Sequence, residues 1–188
     1  MKRTSVVTFA VLLLSSLSAI AQNPPQMPKP GAEQKNLNYF VGTWKETADV
    51  KPGPMGPGGK YTDTQHVEWM PGGFFLLSHM QGSSAMGKVV GIAVYGYDAQ
   101  KKVYTYDEFN NDGEAVHATG TFDGKVWSWT SDSPMGGQTM KGHFLVTATS
   151  PTAYNFKFET SMDGGANWTT FMEGSATKAA STGAATKK

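Results

Sequence analysis

Glu68 stands two residues after His66 in a stretch where polar and apolar side chains alternate. On a strand that spacing sets a carboxylate and an imidazole on one face, a pair able to anchor a polar group or move a proton. His117 is a second candidate anchor, and His79 and His143 complete the histidines. Asp107 and Glu108 are adjacent, so on a strand they point to opposite faces and cannot act as a pair. Neither a Gly-x-Ser-x-Gly elbow nor a His-Glu-x-x-His motif occurs, so the residues give no nucleophile with its base and no zinc-protease signature. Enzymatic activity is not expected.

Ten methionines in a chain without cysteine raise a copper reading, because thioethers suit Cu(I). Met55, Met86, Met135 and Met140 fall in or beside Gly-rich turns, yet no Met-x-Met or Met-x-x-Met cluster gathers sulfurs around one ion. No metal or other cofactor is therefore expected. The remaining candidates are flat aromatic side chains, which offer apolar walls with hydrogen-bonding tips. Trp69, Tyr95, Tyr104, Tyr106, Trp127, Trp129, Phe156 and Phe158 form the pool of wall residues for a small, partly apolar ligand, with Glu68, His66 and His117 as polar anchors. Alternation separates two faces of each segment without telling which is interior.

The elements that must position these residues are short. Alternating segments run over 44–50, 61–70, 74–81, 89–97, 103–109, 115–122, 125–130, 139–149, 153–161 and 168–177. Gly, Pro, Asn and Asp clusters separate them, Asp123 and Gly124 being the sharpest hairpin signal. Residues 33–40 are the one helix candidate, with Leu37 and Phe40 on a shared face. Strands joined by short turns pair with their neighbours, and many of them curl and close to remove unpaired edges. The fold expected is all-β: a closed antiparallel up-and-down β-barrel of about ten strands, with one short N-terminal helix. A two-sheet sandwich is the alternative that periodicity leaves open. About ten strands leave room for a guest, whereas about eight can be filled by side chains.

Residues 1–21 read as a secretory signal peptide: Lys2 and Arg3, an apolar stretch over 6–14, then Ala19 and Ala21 flanking Ile20. Ser15, Ser16 and Ser18 break the apolar run short of the roughly 20 residues a spanning helix needs. The expected location is periplasmic or secreted, with no integral membrane segment after cleavage. Residues 22–36, with four prolines between 24 and 30, form an extended leader that runs into the helix candidate. The barrel domain spans 37–178, and residues 179–188 form a polar tail with nothing to bury, expected to be disordered. Lys and Arg number 16 against 15 Asp and Glu, and no basic stripe points to nucleic acid.

Leu37, Asn38, Tyr39, Phe40, Val41, Gly42, Thr43 and Trp44 resemble the opening of the calycin superfamily, which includes lipocalins, fatty-acid-binding relatives and nitrobindin-like barrels. The resemblance implies a short helix leading into a Gly-x-Trp on the first strand, with Trp44 as a plug closing one end. The chain also resembles an uncharacterised family of small secreted bacterial proteins. It does so through 51–56, Pro71, Gly72, Gly73 and Phe74, Tyr95 to Asp98, and Asp163, Gly164 and Gly165. That resemblance implies a lipocalin-like barrel and brings no activity. Nitrobindin-like barrels bind heme through a histidine, but none of the four here sits in a heme motif or in the last two strands. The segment 161–168 resembles the Asp-box of sialidase propellers, yet it occurs once, and a hairpin accounts for it. Two function classes follow: a barrel binding a small apolar molecule, or a filled barrel with a structural, envelope-contact role through the loop 51–60.

Overall fold

The computed structural model describes residues 27–180. The signal peptide, the start of the leader and most of the tail read from the sequence lie outside these residues. The chain opens with α1 (Ala32–Asn36), whose Gly31 amide is capped by the Gln34 side chain at 2.9 Å. The last five residues of the leader are thus helical and not extended. A 3-10 turn over Leu37–Phe40 continues the helix and buries Leu37 and Phe40.

Ten strands follow: β1 (Gly42–Val50), β2 (Gly59–Trp69), β3 (Leu76–Ser84), β4 (Gly87–Asp98) and β5 (Val103–Asn110) in the first half. The second half holds β6 (Ala115–Phe122), β7 (Val126–Met135), β8 (Gln138–Ser150), β9 (Ala153–Ser161) and β10 (Thr169–Lys178). Each pairs antiparallel with its sequence neighbours, and β1 pairs with β10, so the sheet closes into an up-and-down barrel. Closure excludes the sandwich. β3 starts two residues later than the alternation suggests, because Gly73 donates to the Met70 carbonyl at 3.0 Å and the turn holds Phe74 and Phe75 outside the strand. β7 runs five residues past its expected end, since Pro134 lies beside the hairpin to β8, where the ladder tolerates a missing N–H.

The two ends of the barrel differ. The helix and the links 70–75, 99–102, 123–125 and 151–152 gather at one end. The links 51–58, 85–86, 111–114, 136–137 and 162–168 ring the other. Strand alternation then assigns the faces. Trp44, Glu46 and Ala48 of β1 are buried while Lys45, Thr47 and Asp49 are exposed. On β2, Asp63 and Val67 are buried on the face shared with Tyr61, Gln65 and Trp69. Gly82 on β3 faces Asp63 across the ladder. A Cβ there would fall 2.1 Å from the Thr62 carbonyl oxygen, so only glycine lets β3 close this tightly on β2.

Candidate functional site

The interior divides into a sealed half next to the helix and a wet half at the opposite end. In the sealed half, the Phe40 ring sits 4.8 Å from Trp127 and 5.4 Å from Tyr95. Trp127 stacks on Phe122 at 4.0 Å and on Tyr39 at 5.0 Å. Trp44 lies at this end, its indole N–H donating to the Phe40 carbonyl at 2.7 Å and its ring under the Lys178 ammonium at 4.6 Å. Tyr104 donates to the Glu33 carbonyl at 3.2 Å and accepts from Asn36, and Trp69 donates to the Asn38 side chain. Side chains of the barrel therefore bolt the helix into its mouth, and this end is closed.

The sequence-derived wall residues are all on the inner face, but they are not all available. Trp69, Tyr104 and Trp127 belong to the seal. Tyr95, Trp129 and Phe156 are buried in the middle of the barrel. Tyr106 and Phe158 face the wet half and keep partial exposure. The polar anchors lie elsewhere. His66 and Glu68 stand on the outer face of β2, His66 meeting Thr43 at 3.1 Å. His117 is on the outside of β6, paired with Asp107 at 2.6 Å. The alternation that joins His66 to Glu68 also joins Asp63 to Trp69, and it is the Trp69 side that faces inward.

Three carboxylates that the sequence reading did not select line the wet half instead: Glu46, Asp63 and Glu108. Glu46 and Asp63 are directly opposite across the β1–β2 ladder, both pointing to the axis. Glu46 is 6% exposed and accepts a hydrogen bond from the Tyr154 hydroxyl. Glu108 accepts from the Tyr106 hydroxyl and from Asn110 Nδ2, the latter at 2.8 Å. Asp63 is 4% exposed, and neither of its oxygens has a well-formed hydrogen bond. The amides of Thr64 and Gln81 and the side chain of Gln65 approach the carboxyl and partly offset the effect of burial on it. The Ser78 hydroxyl, Asn110 Oδ1 and the indole N–H groups of Trp127 and Trp129 are also buried and unpartnered.

Burial lifts Glu46 from its ordinary value to about 7, against the Tyr154 hydrogen bond and with help from the charges of Asp63 and Glu108. Asp63 is raised in the same direction, chiefly by burial and further by Glu108. The same removal from water pushes the phenols of Tyr95, Tyr106 and Tyr154 far up, so they stay neutral donors. Glu46 lies within Coulombic reach of both Asp63 and Glu108. Among the described residues, Lys178 is the one cationic side chain at an inward-facing strand position, and it lies in the seal. No group of three or more His, Asp or Glu among the described residues is close enough to hold a metal ion. The three acids therefore do not form a chelate.

Solvent reaches this half from the loop-ringed end. Tyr61, Glu108, Asn110, Ser131, Phe158 and Met172 all point to the axis and are all part-exposed. The loop 162–168 at that rim is locally rigid: Asp163 accepts from the Asn167 amide at 2.9 Å and from Ser161 at 2.7 Å. These bonds hold the Asp163 carboxyl down at about 2.

Outside the barrel one constellation has the composition of a hydrolytic triad. His143 Nε2 lies 2.8 Å from the Ser128 hydroxyl, and Glu159 lies 3.7 Å from His143 Nδ1. The second distance is too long for a hydrogen bond, and Glu159 is neutralised by Lys157 at 2.7 Å. Ser128 also sits inside a continuous β-ladder, whose amides are already engaged and unavailable to an oxyanion. A groove of about 490 Å³ crosses the same outer wall, lined by Asp49 and Glu173 against Lys157 with Leu145 between.

Residues 29–178 match a family described as "Protein of unknown function (DUF1579)". No curated protein matches the chain. Among solved structures, an S-type phycobiliprotein lyase from Guillardia theta is 9% identical, over 79% of this chain and 93% of its own, with a TM-score of 0.52. A de novo fluorescence-activating β-barrel is 17% identical over 76% of this chain and 95% of its own, with a TM-score of 0.44. A redesigned β-barrel is 18% identical over 76% and 94%, with a TM-score of 0.40. At 9% identity the lyase shares the fold and nothing more.

Proposed function

The chain belongs to the DUF1579 family of proteins of unknown function, and from that premise we propose that it binds a small, partly apolar molecule in the wet half of its barrel. One observation carries this reading: inward-pointing aromatic, thioether and polar side chains, among them Tyr61, Phe158 and Met172, remain part-exposed at one end while the other end is sealed. Apolar walls with a few convergent polar groups are the usual make-up of a ligand site. Tyr106 and Phe158 are the walls that survive from the sequence-derived pool, and the acids of β1, β2 and β5 replace His66, Glu68 and His117 as anchors. In this reading the guest is held without being transformed. The pattern over residues 1–21 supports a periplasmic or secreted location.

An uncharged apolar dye such as N-phenyl-1-naphthylamine tests the container. Its fluorescence should rise on binding, and Ser131→Trp, which fills the open end, should weaken binding at least tenfold. Phe158→Ala should weaken it as well. Unchanged binding in both variants places the dye elsewhere and ends the proposal. No binding by the unaltered protein favours the filled, envelope-contact reading.

A further inference from the structure

Both phenols beside the acids are already spent, Tyr154 on Glu46 and Tyr106 on Glu108. Of the buried side-chain atoms left without a partner, the two oxygens of Asp63 are the only charged group; the others are Asn110 Oδ1, the Ser78 hydroxyl and the indole N–H groups of Trp127 and Trp129. A buried carboxylate without hydrogen bonds or counter-charge is costly, and native proteins rarely leave one so. The positive charge in the interior is Lys178, held at the sealed end over Trp44 and bonded to the Tyr39 carbonyl. Among the described residues, no cationic side chain at an inward strand position of the wet half balances the three acids.

We propose that the guest carries a protonated amine, with Asp63 as its counter-ion and Glu46 and Glu108 as flanking acceptors. The inference rests on the container reading and names the chemistry of what it contains. An ammonium brings three donors and a positive charge, the complement of the unpaired Asp63 carboxyl. A bare metal ion does not fit, because no three ligands converge. An anionic guest would meet three like charges, and a neutral hydrocarbon would leave Asp63 unpaired. The guest's apolar part lies against Tyr61, Met80, Phe158 and Met172, which share the inner face of the wet half.

Three naphthalene probes that differ only in their ends test this by calorimetry at pH 7.5: 2-(1-naphthyl)ethylamine, 2-(1-naphthyl)ethanol and 3-(1-naphthyl)propanoate. The amine should bind at least tenfold more tightly than the alcohol, and the carboxylate most weakly. Asp63→Asn should bring amine and alcohol within about twofold of each other while leaving the alcohol unchanged. Asp107→Asn, which alters an outward-facing acid, should leave the amine preference intact. Because protonation removes the charge of Glu46, the preference should also shrink at pH 5. Equal binding of amine and alcohol by the unaltered protein overturns the amine inference and leaves the container standing. Binding of none of the three overturns both. An amine preference retained in Asp63→Asn overturns the assignment of Asp63 as the counter-ion.

Discussion

The two halves of one barrel solve opposite problems with the same period-two alternation. Next to the helix, aromatic and aliphatic side chains dominate the inward positions and several polar tips bond the helix, and the result is a stable floor. Toward the loop ring, inward positions alternate acids with glycine, serine and methionine, and the result is an interior with unmet needs. Stability and reactivity are thus segregated along a single set of strands. The floor can be read as scaffold, and the wet half as the place where free energy is deliberately left to be gained.

That contrast can be broken at its strong end first. Trp127→Ala removes a ring packed on Tyr39, Phe40 and Phe122, and should cost about 3–5 kcal/mol in urea unfolding. Phe158→Ala, at the part-exposed end, should cost clearly less; equal losses would abolish the division. Next comes pH. Burial raises Glu46 from 4.5 to about 7, so between those values the folded protein holds a proton the unfolded chain has lost. Stability therefore falls as pH rises through that window, and the full effect is of the order of 3 kcal/mol. The groups facing Glu46 are Tyr154, Asp63 and Glu108; Asp63 titrates with the same sign. Unfolding midpoints at pH 5 and pH 8 should show the slope, and Glu46→Gln should flatten it. A wild-type slope of opposite sign, unchanged in the variant, would refute the assignment.

Smaller effects sharpen the comparison. Asp63→Asn should stabilise the ligand-free protein by about 1–2 kcal/mol at pH 8, because it discharges a buried, unpaired group. A loss of thermal stability in that variant would mean that Asp63 is structurally satisfied. Lys178→Met should cost about 1 kcal/mol, from one hydrogen bond to Tyr39 and one cation–π contact with Trp44. Its ligand binding should not change, since the residue belongs to the floor.

Most of this architecture is legible in the amino-acid order. Ten alternating segments, Asp123 and Gly124 at a hairpin, and Leu37 with Phe40 on the helix lead to the barrel and to its plugged end. The alternation even separates Asp107 from Glu108, and the structure sends the first outward to His117 and the second inward to Tyr106. What a single strand cannot declare is which of its faces is inside. On β2 both faces carry polar residues, and the choice between His66 with Glu68 and Asp63 with Trp69 is made by neighbours far away in sequence. An isolated acid in an amphipathic strand reads as solvated. Glu46 becomes a buried acid only when β10 and β9 bring Ala176 and Tyr154 over it.

That last step has a consequence for how the molecule is made. The seam between β1 and β10 joins Trp44 to Lys178, the two ends of the strand series. Every other ladder is local, so nine of the ten can form as the chain is extended, while the seam must wait for the final strand. Loop closure over that distance is slow, and until it happens β1 and β10 offer bare edges to any other chain. The last ten residues of the barrel therefore govern its solubility as well as its shape. A chain stopped before Thr169 would keep most of its pairing and lose its protection against aggregation.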